Sequence, residues 1–291
     1  MTNHTLLLGL SAHTWIHAGS GEKDGVVDLP IQREAHTGWP VIFGSSLKGA
    51  MRSAATQHQI NNLTTLFGPD ALSEGASSEK IHAGALMISD ARLIWLPVRS
   101  LTSHTRYVIC PALLRRLQAD MARANQPLNL SLPSVNGLTA LVAEKQPQTR
   151  LYLEEYAFEV ESSEEISKWC EILAKFCDLN PEEISQQLAL ISDDQFAHLC
   201  QAAIPVHPHI AINYETKSVK DGALWYEEAL PPETLLYTLL IANDARDTSG
   251  LKADELHRQI SQFLCTEHPY LQVGANESTG MGWLKQTKVE G

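Results

Sequence analysis

Cysteine is scarce in this 291-residue chain: Cys110, Cys170, Cys177, Cys200 and Cys265 are odd in number, and no two stand as C-x-x-C. That spacing gives no zinc ribbon and no disulfide framework, so reduced, buried thiols are expected. Long apolar runs are missing too, and the stretch from Thr5 to Leu10 is too short to span a bilayer. It also lacks the basic flank and small-residue cleavage site of a leader, so it reads as a core strand of a cytoplasmic protein with no membrane partner. Basic charge is in deficit, with 22 Lys and Arg against 34 Asp and Glu and a formal net charge of −12. A general nucleic-acid binder gains its affinity from Lys and Arg replacing phosphate counterions, so the balance argues against one. It leaves room for a local basic groove, with the acidic residues on other faces or on surfaces shared with partner subunits. No Walker loop, H-E-x-x-H or G-x-S-x-G occurs, and no motif favours a small-molecule enzyme.

Present instead is enough apolar material for a real core, at 44% hydrophobic against 19% charged residues. Runs at Leu6 to Ala12, Gly84 to Leu96, Leu151 to Val160 and Thr234 to Ala242 read as strands. Helices are expected from Ser45 or Ser46 as cap to about Gln59, from Pro111 onward, from a Ser162-x-x-Glu165 capping box to Cys177, from Asp193 to Ala203 and from Ala253 to Cys265. Two short apolar runs around a polar turn make Ile210 to Tyr226 a hairpin, and Tyr270 to Val273 and Trp283 to Gln286 bracket a loop with three glycines. Strands and helices interleave without strict repetition, which fits an α+β fold of ferredoxin-like type with insertions.

Three stretches carry chemistry. Between His17 and Gly44 lie four glycines and two prolines with Asp, Arg and His among them, and a loop of that length is normally functional or disordered. Within it Asp28 stands between Val27 and Leu29-Pro30, a carboxylate in apolar surroundings; the same pattern also suits a turn-forming Asp. Next comes Gly44-Ser45-Ser46-Leu47-Lys48-Gly49-Ala50-Met51-Arg52, where two serines open a helix and Lys48 and Arg52, four apart, share a face. Free first-turn N–H groups beside cations suit phosphate, although a capped helix with a solvated basic face has the same sequence. In the last loop Gly280 and Gly282 allow close backbone approach to a ligand, or simply a tight strand connection. His17 can face the Asp28 loop as an acid, base or phosphate contact, or be a satisfied structural histidine.

Taken in order, His17-Ala-Gly19-Ser-Gly21, Asp28-Leu29-Pro30-Ile31-Gln32-Arg33-Glu34, His36-Thr37-Gly38-Trp39-Pro40 and Gly44-Ser45-Ser46-Leu47-Lys48-Gly49 resemble the N-terminal signature of RAMP proteins, in particular the backbone subunits of type III-B (Cmr) CRISPR effector complexes. Ser89-Asp90-Ala91-Arg92, Pro97 to Ser100, Gly222 to Glu228 and the closing Gly-rich loop extend the resemblance over nearly the whole chain. It departs at Ala275, where a second Gly is common, and at Phe43, where Pro is common. The resemblance implies a single RAMP domain over residues 1–291: an RRM-like or ferredoxin-like palm with an inserted finger region, an active-site loop at 17–44 and a thumb hairpin at 207–228 that kinks a guide RNA.

It further implies that Asp28 is the cleaving residue and a ligand of a divalent cation, Mg2+ or Mn2+, bound only with RNA. It places the family's basic helix residue at Lys48; on their own chemistry His17 or Glu227 would assist, and Ser45, Ser46, Arg52, Gly280 and Gly282 would join Lys48 in contacting RNA. The implied partners are crRNA, target RNA, other Cmr subunits and stacked copies of the chain itself, with the target cut by attack of a splayed nucleotide's 2'-hydroxyl on the adjacent phosphate. Two other readings stay open: a scaffold that only holds the guide, and a metal-independent endoribonuclease that processes guide precursors.

Overall fold

The structure, a computed structural model, describes residues 4–69, 82–143 and 149–290. In chain order the strands are β1 (Thr5–Ala12), β2 (Val41–Ile42), β3 (Leu86–Ile88), β4 (Ala91–Ser100), β5 (His104–Ile109), β6 (Thr139–Val142), β7 (Arg150–Leu153), β8 (Tyr156–Ser162), β9 (Leu188–Leu190), β10 (Val206–Ile212), β11 (Val219–Glu228), β12 (Leu235–Ala242), β13 (Tyr270–Gln272) and β14 (Trp283–Lys288). The helices are α1 (Gly44–Gln57), α2 (Leu63–Phe67), α3 (Pro111–Arg123), α4 (Glu164–Leu173), α5 (Pro181–Gln187), α6 (Asp193–Ala202) and α7 (Ala253–Gln262).

Twelve strands join in one sheet in the order β13-β14-β1-β12-β4-β5-β9-β6-β8-β7, with β2 added at β4 and β3 at β12. β10 and β11 stand apart as a two-stranded hairpin. β4 links the two halves, because its first residues pair with β12 and Leu96 to Ser100 pair with β5. The architecture is therefore mixed α/β around a sheet, with helices packed on it.

Side-chain alternation explains the layers. On β1, Leu6, Leu8, Leu10 and Ala12 pack in one core with Leu47, Met51 and Ala55 of α1 and Leu256 and Ile260 of α7. Leu7 points the other way, into a second core with Trp169 and Leu173 of α4 and with Leu114 and Leu117 of α3. Each fully buried leucine contributes about 1.5–3 kcal/mol, so slipping β1 by one residue would exchange both cores at once.

Several elements differ from the sequence expectation. Leu151 to Val160 is not one strand but the hairpin β7–β8, turned at Glu154, whose φ is +50°. The apolar run ending at Leu96 is broken between β3 and β4, where Ser89 N–H donates to the Leu239 carbonyl. The box expected at Ser162 does not form: α4 starts after Ser163 with no side-chain cap, and Glu165 instead accepts from the Ser131 hydroxyl. A capping box does form at Asn180 and Glu183, where both reciprocal bonds open α5.

Candidate active site

The loop from His17 to Phe43 is tied to the hairpin by backbone bonds at Leu29. Leu29 N–H donates to the Tyr226 carbonyl at 3.0 Å and Glu228 N–H to the Leu29 carbonyl at 3.0 Å, so the loop runs as a short extra strand beside β11. Gln32 N–H bonds Ala18 at 2.8 Å and Ser20 N–H bonds Pro30 at 2.9 Å, closing the loop on itself. These bonds satisfy backbone groups that a long irregular segment otherwise leaves unpaired.

Asp28 sits where this extra strand meets the hairpin. Its Oδ2 accepts from Tyr226 N–H at 2.7 Å, which fixes the carboxylate at the base of the hairpin. The residue is half-buried and lines a cavity of about 720 Å³ together with Glu22, Asp24, Gly222 and Trp225. Trp225 forms one wall, with its ring stacked on His209 at 5.5 Å between centroids and 12° between planes. An anionic group, an aromatic plane and an open polar cavity therefore converge at one point.

The other polar residues of the motif serve the scaffold. Buried Gln32 donates to the Gly19 carbonyl at 3.0 Å and to Ser46 Oγ at 2.9 Å, and accepts from Phe43 N–H at 2.7 Å, so it ties the loop to α1. Arg33 pairs with Glu228 and donates to the carbonyls of Gly38 and Cys200. Glu228 also accepts from Ile31 N–H at 3.0 Å, and Glu34 accepts two bonds from Arg116, whose guanidinium lies 4.6 Å over the Trp39 ring.

His17 is buried at 4% exposure, with Nδ1 2.7 Å from the Glu228 carbonyl and 3.8 Å from Glu227 Oε1. Glu227 accepts in turn from the Asn276 amide, which links His17 to the Gly-rich loop. Among the described residues no hydrogen bond or ion pair joins Asp28 to His17 or Lys48. The packing accounts for part of that last loop: the Gly274 φ is +90°, and a Cβ there would lie 2.2 Å from the His17 carbonyl oxygen. Gly282, at φ +92°, makes room for the Gln272 amide, whereas Gly280 is exposed with nothing near it.

The expectation that Ser45 or Ser46 caps α1 is overturned. The helix begins at Gly44 with Phe43 in the cap position, and both serines fall inside the first turn. Nor are the first N–H groups all free, because Gly44 N–H donates to Asp90 Oδ1 at 2.7 Å. Ser45 is exposed and Lys48 and Arg52 are partly exposed on the same helix. The sequence reading missed Gln32, Glu228, Asn276 and Trp225; the polar run at 32–34 is a local hint for Gln32 alone, and the contacts of the other three are with residues distant in sequence.

A metal fits here only in part. Among the described residues no group of three or more His, Cys, Asp or Glu is placed to hold an ion. Asp28 offers one carboxylate with an oxygen already bonded, so the chain supplies at most one strong ligand and the others must come with the RNA or solvent. No described helix is long and apolar enough to cross a membrane.

The family model for the RAMP superfamily matches residues 10–285. The chain is 35% identical over 299 residues to the Cmr endoribonuclease Cmr4 of Pyrococcus furiosus, covering 98% of this chain and 95% of that protein. It is 25% identical to the Cmr4 subunit of Saccharolobus solfataricus, over 94% and 92% of the two chains. Its structure is similar to that of oligomeric Cmr4 from Pyrococcus furiosus, with a TM-score of 0.73, 28% identity and 99% of each chain covered. With the model match spanning almost its whole length, this chain belongs to the RAMP superfamily.

Proposed function

We propose that the chain is the backbone subunit of a type III-B (Cmr) CRISPR ribonucleoprotein, binding crRNA as stacked copies beside other Cmr subunits and cutting complementary target RNA. The observation that carries the reading is Asp28, held at the root of the hairpin and lining an open cavity with Trp225. Full-length similarity to a Cmr endoribonuclease, and to a structure of that protein as an oligomer, supports both the activity and the stacking. We read residues 1–291 as one RAMP domain whose sheet around β1, β12 and β4 is the ferredoxin-like palm, with 17–44 as its active-site loop and 207–228 as its thumb.

Chemically, the 2'-hydroxyl of a splayed nucleotide attacks the adjacent phosphorus, forming the O2'–P bond as the P–O5' bond breaks. The products are a 2',3'-cyclic phosphate and, once solvent water protonates the departing O5', a 5'-hydroxyl. The Asp28 carboxylate orients the ribose and takes part in moving the 2'-hydroxyl proton. A divalent cation, Mg2+ or Mn2+, held by Asp28 and RNA oxygens, would neutralise charge on the phosphate. Lys48 and Arg52, with Ser45 and Ser46 beside them, hold the guide backbone, and exposed Gly280 offers an open approach to it. His17 acts as a positioning residue, since it is buried and braces the Glu227 and Glu228 segment that carries the hairpin root. Sequence choice belongs to base pairing with the guide rather than to side chains.

The test is a reconstituted complex carrying a defined guide, presented with matched and mismatched labelled RNA in Mg2+, Mn2+ or EDTA. Cutting of matched RNA alone, stopped by EDTA, is the expected result. Cleavage of free hairpin RNA by the isolated chain in EDTA would favour guide processing, and guide binding without any cutting would leave a scaffold.

A further inference from the structure

Three strands meet at the root of the hairpin, and Glu227 stands on the middle one. It pairs with His207 of β10 on one side and bridges Leu29, the residue after Asp28, on the other. Its neighbours in sequence carry the active-site loop: Tyr226 N–H holds Asp28 Oδ2, and the Glu228 carboxylate holds Ile31 N–H and Arg33. The Glu227 side chain is itself buried, at 4% exposure. His17 Nδ1 lies 3.8 Å from its Oε1, but that nitrogen is already 2.7 Å from the Glu228 carbonyl, which takes its proton as a hydrogen bond. Among the described residues one hydrogen bond reaches the Glu227 carboxylate, from Asn276 Nδ2. A buried carboxylate without a donor is costly, so this bond fixes where the middle strand lies.

Asn276 is held so that its amide cannot wander. Its φ is +62°, a left-handed conformation that asparagine tolerates and most side chains do not. Its carbonyl accepts from Thr279 N–H at 3.0 Å, from the Thr279 hydroxyl at 2.9 Å and from Met281 N–H at 3.2 Å, so the residue is fixed by its own loop. Ala275, just before it, donates its N–H to the His17 carbonyl at 2.9 Å, which anchors that loop to the start of the active-site loop. Glycine would suit the backbone and bring no amide. Asparagine combines left-handed tolerance with a short N–H donor.

We propose that Asn276 is a positioning residue for RNA cutting: by holding the Glu227 carboxylate it fixes the hairpin strand level with Leu29, and so sets the place of the Asp28 carboxylate one residue away. This rests on the reading that Asp28 takes part in cutting, and adds that the loop between β13 and β14 controls where that group sits. Asn276 needs no contact with RNA for this. Its effect therefore falls on the rate of the cut and not on the hold on the guide.

Reversing the bond tests this. Asn276→Asp keeps the size and the left-handed backbone but turns the donor into an acceptor, so two carboxylates face each other. Asn276→Gly removes the amide without backbone strain, should the first variant fold poorly. Adding Glu227→Gln to Asn276→Asp swaps donor and acceptor and rebuilds the bond, with Glu227→Gln alone as its reference. Three quantities are read: single-turnover cutting by the guide-loaded complex, guide affinity, and hydrogen exchange of the amides at 224–228 in the full chain. Both single variants at 276 are expected to cut about ten- to a hundredfold more slowly, the range for a small misplacement of a reacting group, while binding guide within about twofold of wild type and exchanging faster at the hairpin root. In the Glu227→Gln background, Asn276→Asp is expected to cost about threefold or less. Wild-type cutting or wild-type exchange in Asn276→Asp overturns the proposal. A loss of the same size in both backgrounds also overturns it, because Asn276 then acts other than through Glu227. A parallel loss of guide affinity does so too, by making Asn276 an RNA contact. If the wild-type complex does not cut matched RNA, the underlying reading fails; faster root exchange in the 276 variants then still upholds the tie to Glu227, and unchanged exchange removes it.

Discussion

Replacing Asp28 in two ways separates chemistry from architecture, because the carboxylate holds the hairpin root in the structure and is assigned a second job only by the proposed reaction. Its Oδ2 accepts the Tyr226 N–H at 2.7 Å, and its charge lies at the cavity. Asp28→Asn keeps an oxygen for Tyr226 and removes the charge; Asp28→Ala removes both. Losing the bond costs about 1 kcal/mol at this half-exposed position, where water can take the N–H, against a total stability of roughly 5–15 kcal/mol. Both variants therefore remain folded and assemble on guide RNA. If Asp28 moves a proton or holds a cation, single-turnover cutting falls by about a hundredfold or more in both, the usual size for a positioned acid–base or electrostatic group. If Asp28 only pins the hairpin, Asn cuts nearly as fast as wild type and only Ala slows. The assay is the first-order rate of target cleavage at saturating complex, with guide occupancy checked by gel shift. An Asn variant within threefold of the wild-type rate would refute the catalytic assignment.

Other outcomes follow from the same contacts. Gln32→Leu leaves the Gly19 carbonyl and Phe43 N–H without their partner and unties α1 from the loop, at about 2 kcal/mol; the thermal midpoint should drop by roughly 5 °C in calorimetry, and no shift at all would mean the tie is unimportant. Lys48→Ala and Arg52→Ala should each weaken guide binding and reduce the slope of log K against log salt by about one; an unchanged slope removes that side chain from the phosphate path. Burial pushes the Cys200 thiol up to about 12 and raises Cys110 as well, so neither should react with iodoacetamide at pH 8 until the protein is unfolded, as read by mass spectrometry. Rapid native labelling of Cys200 would show that its surroundings open.

The elements legible in the sequence are those whose periodicity is complete within one segment. β1, α3, α6, α7, β12 and the β10–β11 hairpin lie within a few residues of where their patterns set them. Pro111 at the first turn and the leucines at 113, 114 and 117 needed no tertiary information. Short β6 and β9 escaped because four or three residues carry no period, and they exist only because β6 pairs with β8 and β9 with β5. Ser162-x-x-Glu165 misled for the opposite reason: local sequence allowed a box, but Ser131 from a distant loop took the Glu165 carboxylate. Asp28 was visible as a carboxylate in apolar company, yet nothing local says that Tyr226, 198 residues later, donates to it.

That division bears on what the motif around Asp28 does. Gln32, Arg33 and Glu34 are polar residues of the kind expected to touch RNA, and each is instead engaged within the chain: Gln32 by α1, Arg33 by Glu228 and Glu34 by Arg116. Breaking one partner of a partly buried ion pair leaves the other charge uncompensated, so substitutions at Arg33 or Glu228 act first on the loop's position and only through it on cutting. Asp28 differs because its contact is to a backbone amide that asparagine can also satisfy. The negative charge at residue 28 is therefore not needed for the fold in the way the charges at 33, 34 and 228 are. On the proposed reading, a carboxylate whose charge the fold does not use, set on a scaffold built from its neighbours' charges, serves the chemistry of the cavity it lines.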